Sequence, residues 1–276
     1  MTVSYAVIGH PIEHSKSPLI HAAFAKEAGI DLDYTRVLAP LDGFDATVRD
    51  LMARGFGGAN VTVPFKFEAF ALCDVLSEQA LAAKAVNTLT FKQGQILGDN
   101  TDGVGLLADI TQNLAVSLTG KQVLLMGAGG AAYGVVLPLL KAGAVVTVAN
   151  RTLKKAEELA QTFNQMAGAC TDLCAKVRAS TYEGLRQQAF DVIVNATSAG
   201  LTDALPPITH ENFAKDALAY DMMYGKETLF MQTARACGAQ VADGLGMLVE
   251  QAAEAFWLWH HVRPQTAPVI RAFRAS

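Results

Sequence analysis

The chain has 276 residues, of which 51% are hydrophobic and 17% charged, so it can bury a substantial core in one large or two modest domains. A formal net charge of −4 excludes the basic footprint of a protein that binds nucleic acid or an anionic membrane surface. Four scattered cysteines exclude a disulfide framework, and the sequence has neither a signal-peptide layout nor an uncharged apolar run of about 18 residues, so we expect a cytoplasmic protein.

Apolar runs of strand character alternate with helical patterns along almost the whole chain. The predicted strands are residues 5–9, 33–38, 58–62, 85–91, 122–126, 145–149, 192–195, 218–221 and 239–241. Helical patterns lie between most of them, for example at residues 18–27 and 154–165. Such alternation predicts an α/β fold with a mostly parallel sheet covered by helices on both faces.

These strands are many for a single sheet, and residues 94–105 have the composition of a junction. A helical pattern at 106–114 follows, and a new strand–turn–helix unit begins at 118. We therefore divide the chain near residue 102 and expect the apolar helix at 248–259 to pack back onto the first half. The predicted domains are residues 1–102 with 245–276, and residues 103–244.

One lysine in the first half lies in an unexpected electrostatic position. Residues 60–63 have strand character, and Pro64 stands where a first helical turn favours proline, so Lys66 falls at the start of a helix. Cations are disfavoured there, because the helix macrodipole is positive at its N-terminus. The position indicates a functional lysine, and an ordinary surface lysine is the alternative.

Polar side chains form four clusters in the first half of the chain. The clusters are Ser15 with Ser17, Asn60 with Thr62 and Lys66, Asn87 with Thr88, and Asn100 with Thr101 and Asp102. Several follow predicted strands directly, where open α/β sheets bind their ligands. Converging hydroxyls and amides suit a small polyhydroxylated ligand, although each cluster alone is also compatible with a helix cap or turn.

The segment VLLMGAGGAAYGVV has the strand–glycine turn–helix context of a dinucleotide-binding fingerprint. Gly127 permits the tight turn, Gly129 lets the backbone approach a pyrophosphate, and Ala132 takes the third small position. The pyrophosphate would lie on the helix N-terminus. The predicted cofactor-binding turn comprises Gly127, Ala128, Gly129, Gly130, Ala131 and Ala132. A tight turn without a ligand is the alternative.

The end of the next strand indicates which dinucleotide binds. Asn150 lies about 20 residues after the glycine turn, where NAD enzymes carry an acid for the ribose 2′-hydroxyl. Instead of an acid, Arg151, Thr152 and Lys155 offer a guanidinium, a hydroxyl and an ammonium group to a 2′-phosphate. NADP(H) is therefore the predicted cofactor, and a solvated basic helix start is the alternative.

Two further motifs exclude other chemistries. Cys170 and Cys174 have no nearby histidine or second cysteine pair, so no metal site is predicted. Residues 195–200, NATSAG, lack the glycine spacing of a serine-hydrolase elbow. They are interpreted as a polar strand-end turn that faces the cofactor crevice.

Taken together, the motifs resemble one family, the shikimate dehydrogenases, which reduce 3-dehydroshikimate with NADPH in aromatic amino-acid biosynthesis. The segments HSKSP, NVTVPFK, AVNT, NTDGVG, GAGGAA, NRT, NATSAG, YDMMYGKETLF and DGLGMLVEQA occur in the family's order and approximate spacing across essentially the whole chain. The resemblance implies a substrate-binding domain, a Rossmann-like NADP-binding domain and a substrate cleft between them. It also implies that the C-terminal helices return to the first domain.

The resemblance also implies a role for each matching residue. Those expected to bind the substrate carboxylate are Ser15, Ser17 and Tyr224. Those expected to contact the ring hydroxyls are Thr62, Asn87, Asp102 and Gln251, with Lys66 and Asp102 as the catalytic pair. Those expected to hold the adenosine phosphate are Asn150, Arg151, Thr152 and Lys155, and those expected near the nicotinamide are Thr197, Met222 and Gly244.

Chemistry supports the same role for Lys66. Hydride addition to a ketone leaves an alkoxide that needs a proton, and a protonated lysine can supply it. We therefore predict that Lys66 acts as an acid in ketone reduction and as a base in alcohol oxidation. Lys155 departs from the family, which often has arginine there, and the loss of a bidentate fork predicts a weaker preference for NADP than is typical.

Three other interpretations remain open from sequence alone. They are a quinate/shikimate dehydrogenase that uses NAD or a broader substrate range, a non-catalytic NADP-binding metabolite sensor, and a methylenetetrahydrofolate dehydrogenase-like enzyme. Arg151 argues against NAD, and the presence of both Lys66 and Asp102 argues against a sensor. The paired serines fit a carbocyclic polyol acid better than a folate. A monomer and a homodimer are both compatible with the sequence.

Overall fold

The protein is described by a computed structural model covering residues 2–169, 177–197 and 207–275. It divides into two compact units, one formed by Met1–Gly105 with Leu248–Ser276 and the other by Leu106–Met247. Each unit contains a six-stranded sheet covered by helices. The α/β class predicted from the alternating pattern is confirmed.

Helices alternate with strands along most of the chain. Up to residue 99 they are β1 (Val3–Gly9), α1 (Ser17–Ala28), β2 (Leu32–Leu38), α2 (Phe44–Ala53), β3 (Gly58–Val61), α3 (Lys66–Leu72), β4 (Val75–Leu76), α4 (Glu78–Ala83), β5 (Thr88–Lys92) and β6 (Gln95–Asp99). The remaining elements are α5 (Asp102–Ala108), β7 (Gln122–Met126), α6 (Gly130–Lys141), β8 (Val145–Ala149), α7 (Leu153–Ala169), β9 (Arg178–Ser180), β10 (Phe190–Asn195), β11 (Phe213–Asp221), α8 (Leu229–Ala236), β12 (Gln240–Ala242), α9 (Leu245–His260) and α10 (Ala267–Ala275). A π-helical turn at Asp109–Asn113 extends α5.

The sheet of the first unit is mixed, with strand order β2-β1-β3-β5-β6-β4. Strand β1 pairs in parallel with β2 and β3, whereas β5 pairs antiparallel with β3 and β6. The interpretation of residues 94–105 as a junction was wrong for residues 95–99, because these residues form strand β6, which pairs with β5 in a hairpin. Gln93 and Gly94 both have positive φ, as a tight two-residue hairpin turn requires. The predicted strand at 85–91 begins three residues later, so Asn87 lies just before β5.

Two apolar cores cover this sheet. In one of them, side chains of α2 and α3 such as Val48 and Ala69 pack with Ile8 and Leu89 of the strands. The other joins α1 to the C-terminal helices, and its fully buried members include Ile20, Phe24, Val249 and Phe256. Burial of each such side chain contributes about 1.5–3 kcal/mol, so the return of α9 and α10 to the first unit, expected from the sequence, follows from this apolar seam.

The sheet of the second unit is entirely parallel, with strand order β12-β11-β10-β7-β8-β9. This is the strand order of a Rossmann fold, and the direction of winding reverses between β7 and β10. Central residues such as Leu124 and Ile193 are fully buried, which explains why these strands read as continuous apolar runs. The reversal opens a crevice at the carboxyl ends of β7 and β10, where ligands of such sheets bind.

The helices of the described ranges are of moderate length, the longest being α7 with 17 residues. Helix α9 has 16 residues. No helix in residues 2–169, 177–197 and 207–275 is both long and apolar enough to span a membrane.

Candidate active site

A lysine–aspartate pair lies at the carboxyl end of the first unit's strands. Lys66 is the first residue of α3 and Asp102 the first residue of α5. The Nζ atom of Lys66 lies 2.5 Å from Oδ2 of Asp102, and their side chains are only 29% and 13% exposed. Pro64 was predicted in the first helical turn, but it belongs to the turn before α3, because the helix begins at Lys66.

Asn87 connects this pair to the rest of the site. Its side-chain Nδ2 donates to Oδ1 of Asp102 at 2.8 Å and to Thr101 Oγ1 at 3.0 Å, while its Oδ1 accepts from the Thr101 backbone N–H at 2.9 Å. Gln251 of α9 brings its Oε1 within 3.2 Å of the same Nδ2. Because Asn87 is only 2% exposed, these contacts fix the orientation of its amide.

The paired serines lie at the start of α1. Ser15 Oγ donates to Ser17 Oγ at 3.2 Å and accepts from the Ser17 backbone N–H at 3.3 Å. Ser17 is the first residue of the helix, so its ordinary interpretation as an N-cap is wrong. The guanidinium of Arg36 holds the loop by donating to the Ser15 carbonyl at 2.6 Å.

Thr62 follows β3 and packs against the end of β1. A Cβ on Gly9 would lie 2.6 Å from Thr62 Cγ2, so only glycine permits this approach. The Thr62 backbone N–H donates to the Ile8 carbonyl at 2.9 Å. The hydroxyl-bearing side chain is thereby held beside the strand ends.

The first unit therefore brings Lys66, Asn87, Asp102 and Gln251 into one contiguous network. Tyr224 belongs to the second unit, where it follows β11 and is partly buried, and this burial raises the pKa of its hydroxyl. Asn60, which the sequence placed in a polar cluster with Thr62 and Lys66, is only 6% exposed inside strand β3. An asparagine in a short apolar strand is disfavoured unless its amide is paired, and this signal pointed to it.

The glycine turn of the second unit has the geometry that a pyrophosphate needs. Gly127 has φ of +100°, and a Cβ there would lie 3.1 Å from the Ala196 carbonyl oxygen. Gly129 is the N-cap of α6. A Cβ built on it would have no heavy atom of the described residues within 4 Å, apart from atoms of its chain neighbours and its own helix. Ala132 is fully buried in α6. The turn thus leaves open backbone before a helix N-terminus, a fit to an anionic phosphate.

Basic residues follow the next strand of that sheet. Asn150 Nδ2 donates to the Thr152 carbonyl at 2.9 Å and closes the turn after β8. Arg151, Thr152 and Lys155 are all exposed. Burial raises the pKa of Tyr182, and the neighbouring Arg151 charge partly offsets this. A guanidinium, a hydroxyl and an ammonium group are therefore available to a phosphate, so these residues fit NADP better than NAD.

Residues expected near the nicotinamide gather at the carboxyl ends of β10 and β11. Thr197 Oγ1 donates to Asn195 Oδ1 at 2.7 Å, and the Met222 backbone N–H donates to the Asn195 carbonyl at 3.1 Å. Gly244 packs directly on the Met222 backbone, with no room for a Cβ. Asn195, which the sequence singled out only as part of the NATSAG turn, organises this group. The rest of the NATSAG turn, with Cys170 and Cys174, lies outside the described residues.

The second unit is a parallel Rossmann sheet with an open glycine turn and with basic residues after its second strand. The first unit carries a lysine–aspartate pair in a polar network. Together these features define an NADP-dependent α/β oxidoreductase of two domains. The chain matches the models of a shikimate dehydrogenase substrate-binding domain at residues 7–89, a shikimate/quinate 5-dehydrogenase at 109–202 and a shikimate 5′-dehydrogenase C-terminal domain at 244–272. It belongs to the shikimate dehydrogenase family, as the sequence motifs indicated.

Relatives of this chain extend over its whole length. It is 59% identical over 274 residues to a shikimate dehydrogenase (NADP(+)) of Methylobacillus flagellatus, covering 99% of both chains. The crystal structure of an Ael1 enzyme from Pseudomonas putida is 46% identical with a TM-score of 0.92, covering 98% of this chain and 97% of that one. The shikimate 5-dehydrogenase of Thermus thermophilus in complex with NADP(H) and shikimate is 34% identical with a TM-score of 0.86, covering 99% of both chains.

Proposed function

We propose that the protein catalyses the reversible NADPH-dependent reduction of 3-dehydroshikimate to shikimate, a step in chorismate and aromatic amino-acid biosynthesis. The observation that carries the proposal is the 2.5 Å contact of Lys66 with Asp102 inside a network of amides and hydroxyls. A full-length relative named for the same NADP(+) activity, and another solved with NADP(H) and shikimate, support it.

Each unit has its own part in this proposal. Residues 1–102 with 245–276 bind the substrate and carry the catalytic pair, and residues 103–244 bind NADP(H). The polar network in the first unit and the glycine turn in the second support this division.

The substrate's functional groups match the polar clusters of the first unit. Ser15, Ser17 and Tyr224 bind its carboxylate, because hydroxyls can donate to both carboxylate oxygens. The residues that bind the ring hydroxyls are Thr62, Asn87, Asp102 and Gln251. A ligand without one of these hydroxyls would leave a buried partner unpaired at a cost of about 1–3 kcal/mol, and this cost gives the site its specificity.

Lys66 and Asp102 handle the proton. When bound, NADPH supplies a hydride to the carbonyl carbon. Lys66 Nζ holds the proton that the substrate oxygen takes up during reduction, and it accepts that proton during oxidation. Asp102 orients the ammonium group and balances its charge at the positive end of α3. Because oxidation releases a proton, alkaline pH favours it.

The cofactor is held by three groups of residues in the second unit. The pyrophosphate lies on the turn formed by Gly127, Ala128, Gly129, Gly130, Ala131 and Ala132. The adenosine phosphate is bound by Asn150, Arg151, Thr152 and Lys155. The residues that border the nicotinamide are Thr197, Met222 and Gly244. The open backbone at Gly129 and the exposed basic residues after β8 support these placements.

The test is reduction of NADP⁺ by shikimate, followed by the absorbance of NADPH and run beside NAD⁺ and quinate. We expect much higher activity with shikimate and NADP⁺ than with NAD⁺ or with quinate. Comparable rates with NAD⁺ or quinate would make the protein a quinate/shikimate dehydrogenase of broader specificity. NADP⁺ binding without turnover of either acid would contradict the proposed activity and favour a metabolite sensor.

We further propose that the protein acts in the cytoplasm, as a monomer or homodimer, on small molecules and without a nucleic-acid or membrane partner. The net charge of −4 supports the absence of a nucleic-acid partner. Light scattering during gel filtration distinguishes the two oligomeric states.

A further inference from the structure

Tyr34 of β2 donates a hydrogen bond whose direction is fixed by its surroundings. Its hydroxyl lies 2.7 Å from Oδ1 of Asn60. The Nδ2 of Asn60 donates to the Asn87 backbone carbonyl at 3.2 Å, and a carbonyl can only accept. The amide of Asn60 therefore has one orientation, its Oδ1 faces the phenol, and Tyr34 must be the donor.

The same direction continues toward the catalytic pair. Asn60 Nδ2 donates to Thr88 Oγ1 at 3.0 Å, and Thr88 Oγ1 donates to Asn87 Oδ1 at 2.9 Å. Asn87 Nδ2 then donates to Asp102 Oδ1 at 2.8 Å. Every donor of this chain points toward the Asp102 carboxylate, and bonds aligned in this way polarise and strengthen one another.

Packing holds the phenol in place. The ring of His21 stacks on Tyr34 with centroids 4.3 Å apart and planes 8° from parallel. His21 is itself fully buried and contacts Phe24 and Phe256 edge-on or tilted. Burial raises the pKa of Tyr34 well above its ordinary value, so the phenol keeps the proton that it donates.

We propose that Tyr34 is a positioning residue, which fixes the Asn60 amide and thereby, through Thr88 and Asn87, the Asp102 carboxylate of the catalytic pair. This inference rests on the proposed function, because it assigns Tyr34 a part in turnover of shikimate. Tyr34 acts through Asn60 and Asn87 and does not itself transfer a proton.

The test is Tyr34→Phe, which keeps the ring on His21 and removes only the hydroxyl. Loss of the bond leaves a buried Asn60 oxygen unpaired, so we expect kcat/KM for shikimate to fall about tenfold or more, with part of the loss in kcat. The KM for NADP⁺ should not change. The thermal midpoint should stay close to that of the native protein, because the aromatic packing is retained.

Tyr5→Phe is the matched control. Tyr5 stacks on Trp259 at 4.4 Å in the same aromatic cluster, and the described part of the chain offers its hydroxyl no hydrogen-bond partner. We expect native kinetics from this variant. Equal losses in both variants would mean that any phenol of the cluster matters, and would overturn the specific role of Tyr34.

A double-mutant cycle with Asn60→Ala shows whether Tyr34 acts through Asn60. In that background Tyr34→Phe should have little further effect, because its partner is gone. The same loss in both backgrounds, or native kinetics of Tyr34→Phe alone, would refute the proposal. If Tyr34→Phe loses thermal stability, Asn60→Ala alone serves as the test. It should lower kcat/KM for shikimate by at least the factor expected for Tyr34→Phe. Inactivity of the native protein toward shikimate would instead refute the proposed function.

Discussion

The Nζ atom of Lys66 and Oδ2 of Asp102 lie 2.5 Å apart, although 36 positions separate the residues in the chain. Each residue begins a helix, and a helix N-terminus favours an aspartate and disfavours a lysine. Asp102 is therefore in a favourable position on its own, whereas Lys66 depends on Asp102. The Lys66–Asp102 contact thus stabilises an ammonium group at a helix N-terminus, where helix stability alone disfavours a lysine. This is the position expected of a lysine whose role is catalytic.

Lys66→Ala should lower kcat for shikimate oxidation by about 10²- to 10⁴-fold, the usual contribution of a general acid or base. The KM for NADP⁺ and the thermal midpoint should change little, because Asp102 keeps its hydrogen bond from Asn87. Lys26→Ala is the matched control, since Lys26 is an exposed lysine on α1 of the same unit. Unchanged turnover of Lys66→Ala across a pH–rate profile would rule out the proposed role.

Gly129→Ala and Gly127→Ala should separate cofactor binding from folding. An alanine at Gly129 meets no described atom within 4 Å beyond its own chain neighbours and helix, so the variant should fold normally. Its methyl group would occupy the approach of the pyrophosphate, so the KM for NADP⁺ should rise several-fold. At Gly127 the φ of +100° and the Ala196 oxygen 3.1 Å away disfavour any Cβ, so its thermal midpoint should fall.

Thermal melts and NADP⁺ titrations of both glycine variants measure these effects. A Gly129→Ala protein that binds NADP⁺ as tightly as the native chain would contradict the placement of the pyrophosphate. A Gly127→Ala protein of native stability would contradict the steric argument.

Arg151→Ala should raise the KM for NADP⁺ about tenfold or more, as expected when a charged hydrogen bond to phosphate is lost. The KM for NAD⁺ should not change, because that cofactor has no 2′-phosphate. Arg178→Ala, at an exposed arginine of β9 in the same unit, is the control for charge alone. Equal effects on NADP⁺ and NAD⁺ would contradict the assignment of Arg151 to the 2′-phosphate.

Lys155→Arg should strengthen the preference for NADP⁺. A guanidinium offers phosphate two parallel hydrogen bonds, whereas the ammonium group of Lys155 acts as a point charge. The ratio of kcat/KM for NADP⁺ to that for NAD⁺ measures the effect, and it should rise relative to the native protein. A ratio that falls or stays constant would mean that Lys155 does not contact the phosphate.

The Rossmann unit could be predicted from sequence because its strands are buried on both faces. Leu124 and Ile193 belong to apolar runs that no exposed strand would carry, and the glycine turn after β7 marks the predicted cofactor site. The hairpin strand β6 was missed, because Gln95–Asp99 contains a glycine and polar residues at its ends. Its identity as a strand depends on pairing with β5, which local propensity does not encode.

The hydrogen-bond network of the first unit could be predicted only in part. Polar residues at strand ends pointed to Asn87 and Asp102, since such positions converge in α/β sheets. Tyr34 gave no signal, because a tyrosine on a strand usually packs as a large apolar side chain. Its contact with Asn60, 26 residues further along the chain, depends on strand β1, which lies between β2 and β3 in the sheet.

His21 should make the protein lose stability as the pH falls below about 6.5. Burial lowers the pKa of His21 to about 3, whereas in the unfolded chain it keeps its ordinary value of 6.5. Between these values the unfolded state binds a proton that the folded state excludes, so the free energy of unfolding rises with pH. The stabilising contribution is complete above pH 6.5 and is lost as the pH falls toward 3. Its slope in that window is at most about 1.4 kcal/mol per pH unit.

His21→Phe removes the titrating ring from an aromatic site while filling a similar volume. Denaturant unfolding at a series of acid pH values gives the free energy of unfolding of each protein as a function of pH. The contributions of the carboxylates cancel in the difference between the two slopes. We expect the native protein to lose stability more steeply than His21→Phe below pH 6.5, and the two curves to run parallel above it. Parallel curves throughout would mean that the folded protein accommodates a protonated His21. His21, which stacks on Tyr34, would then be far more hydrated than its own complete burial implies.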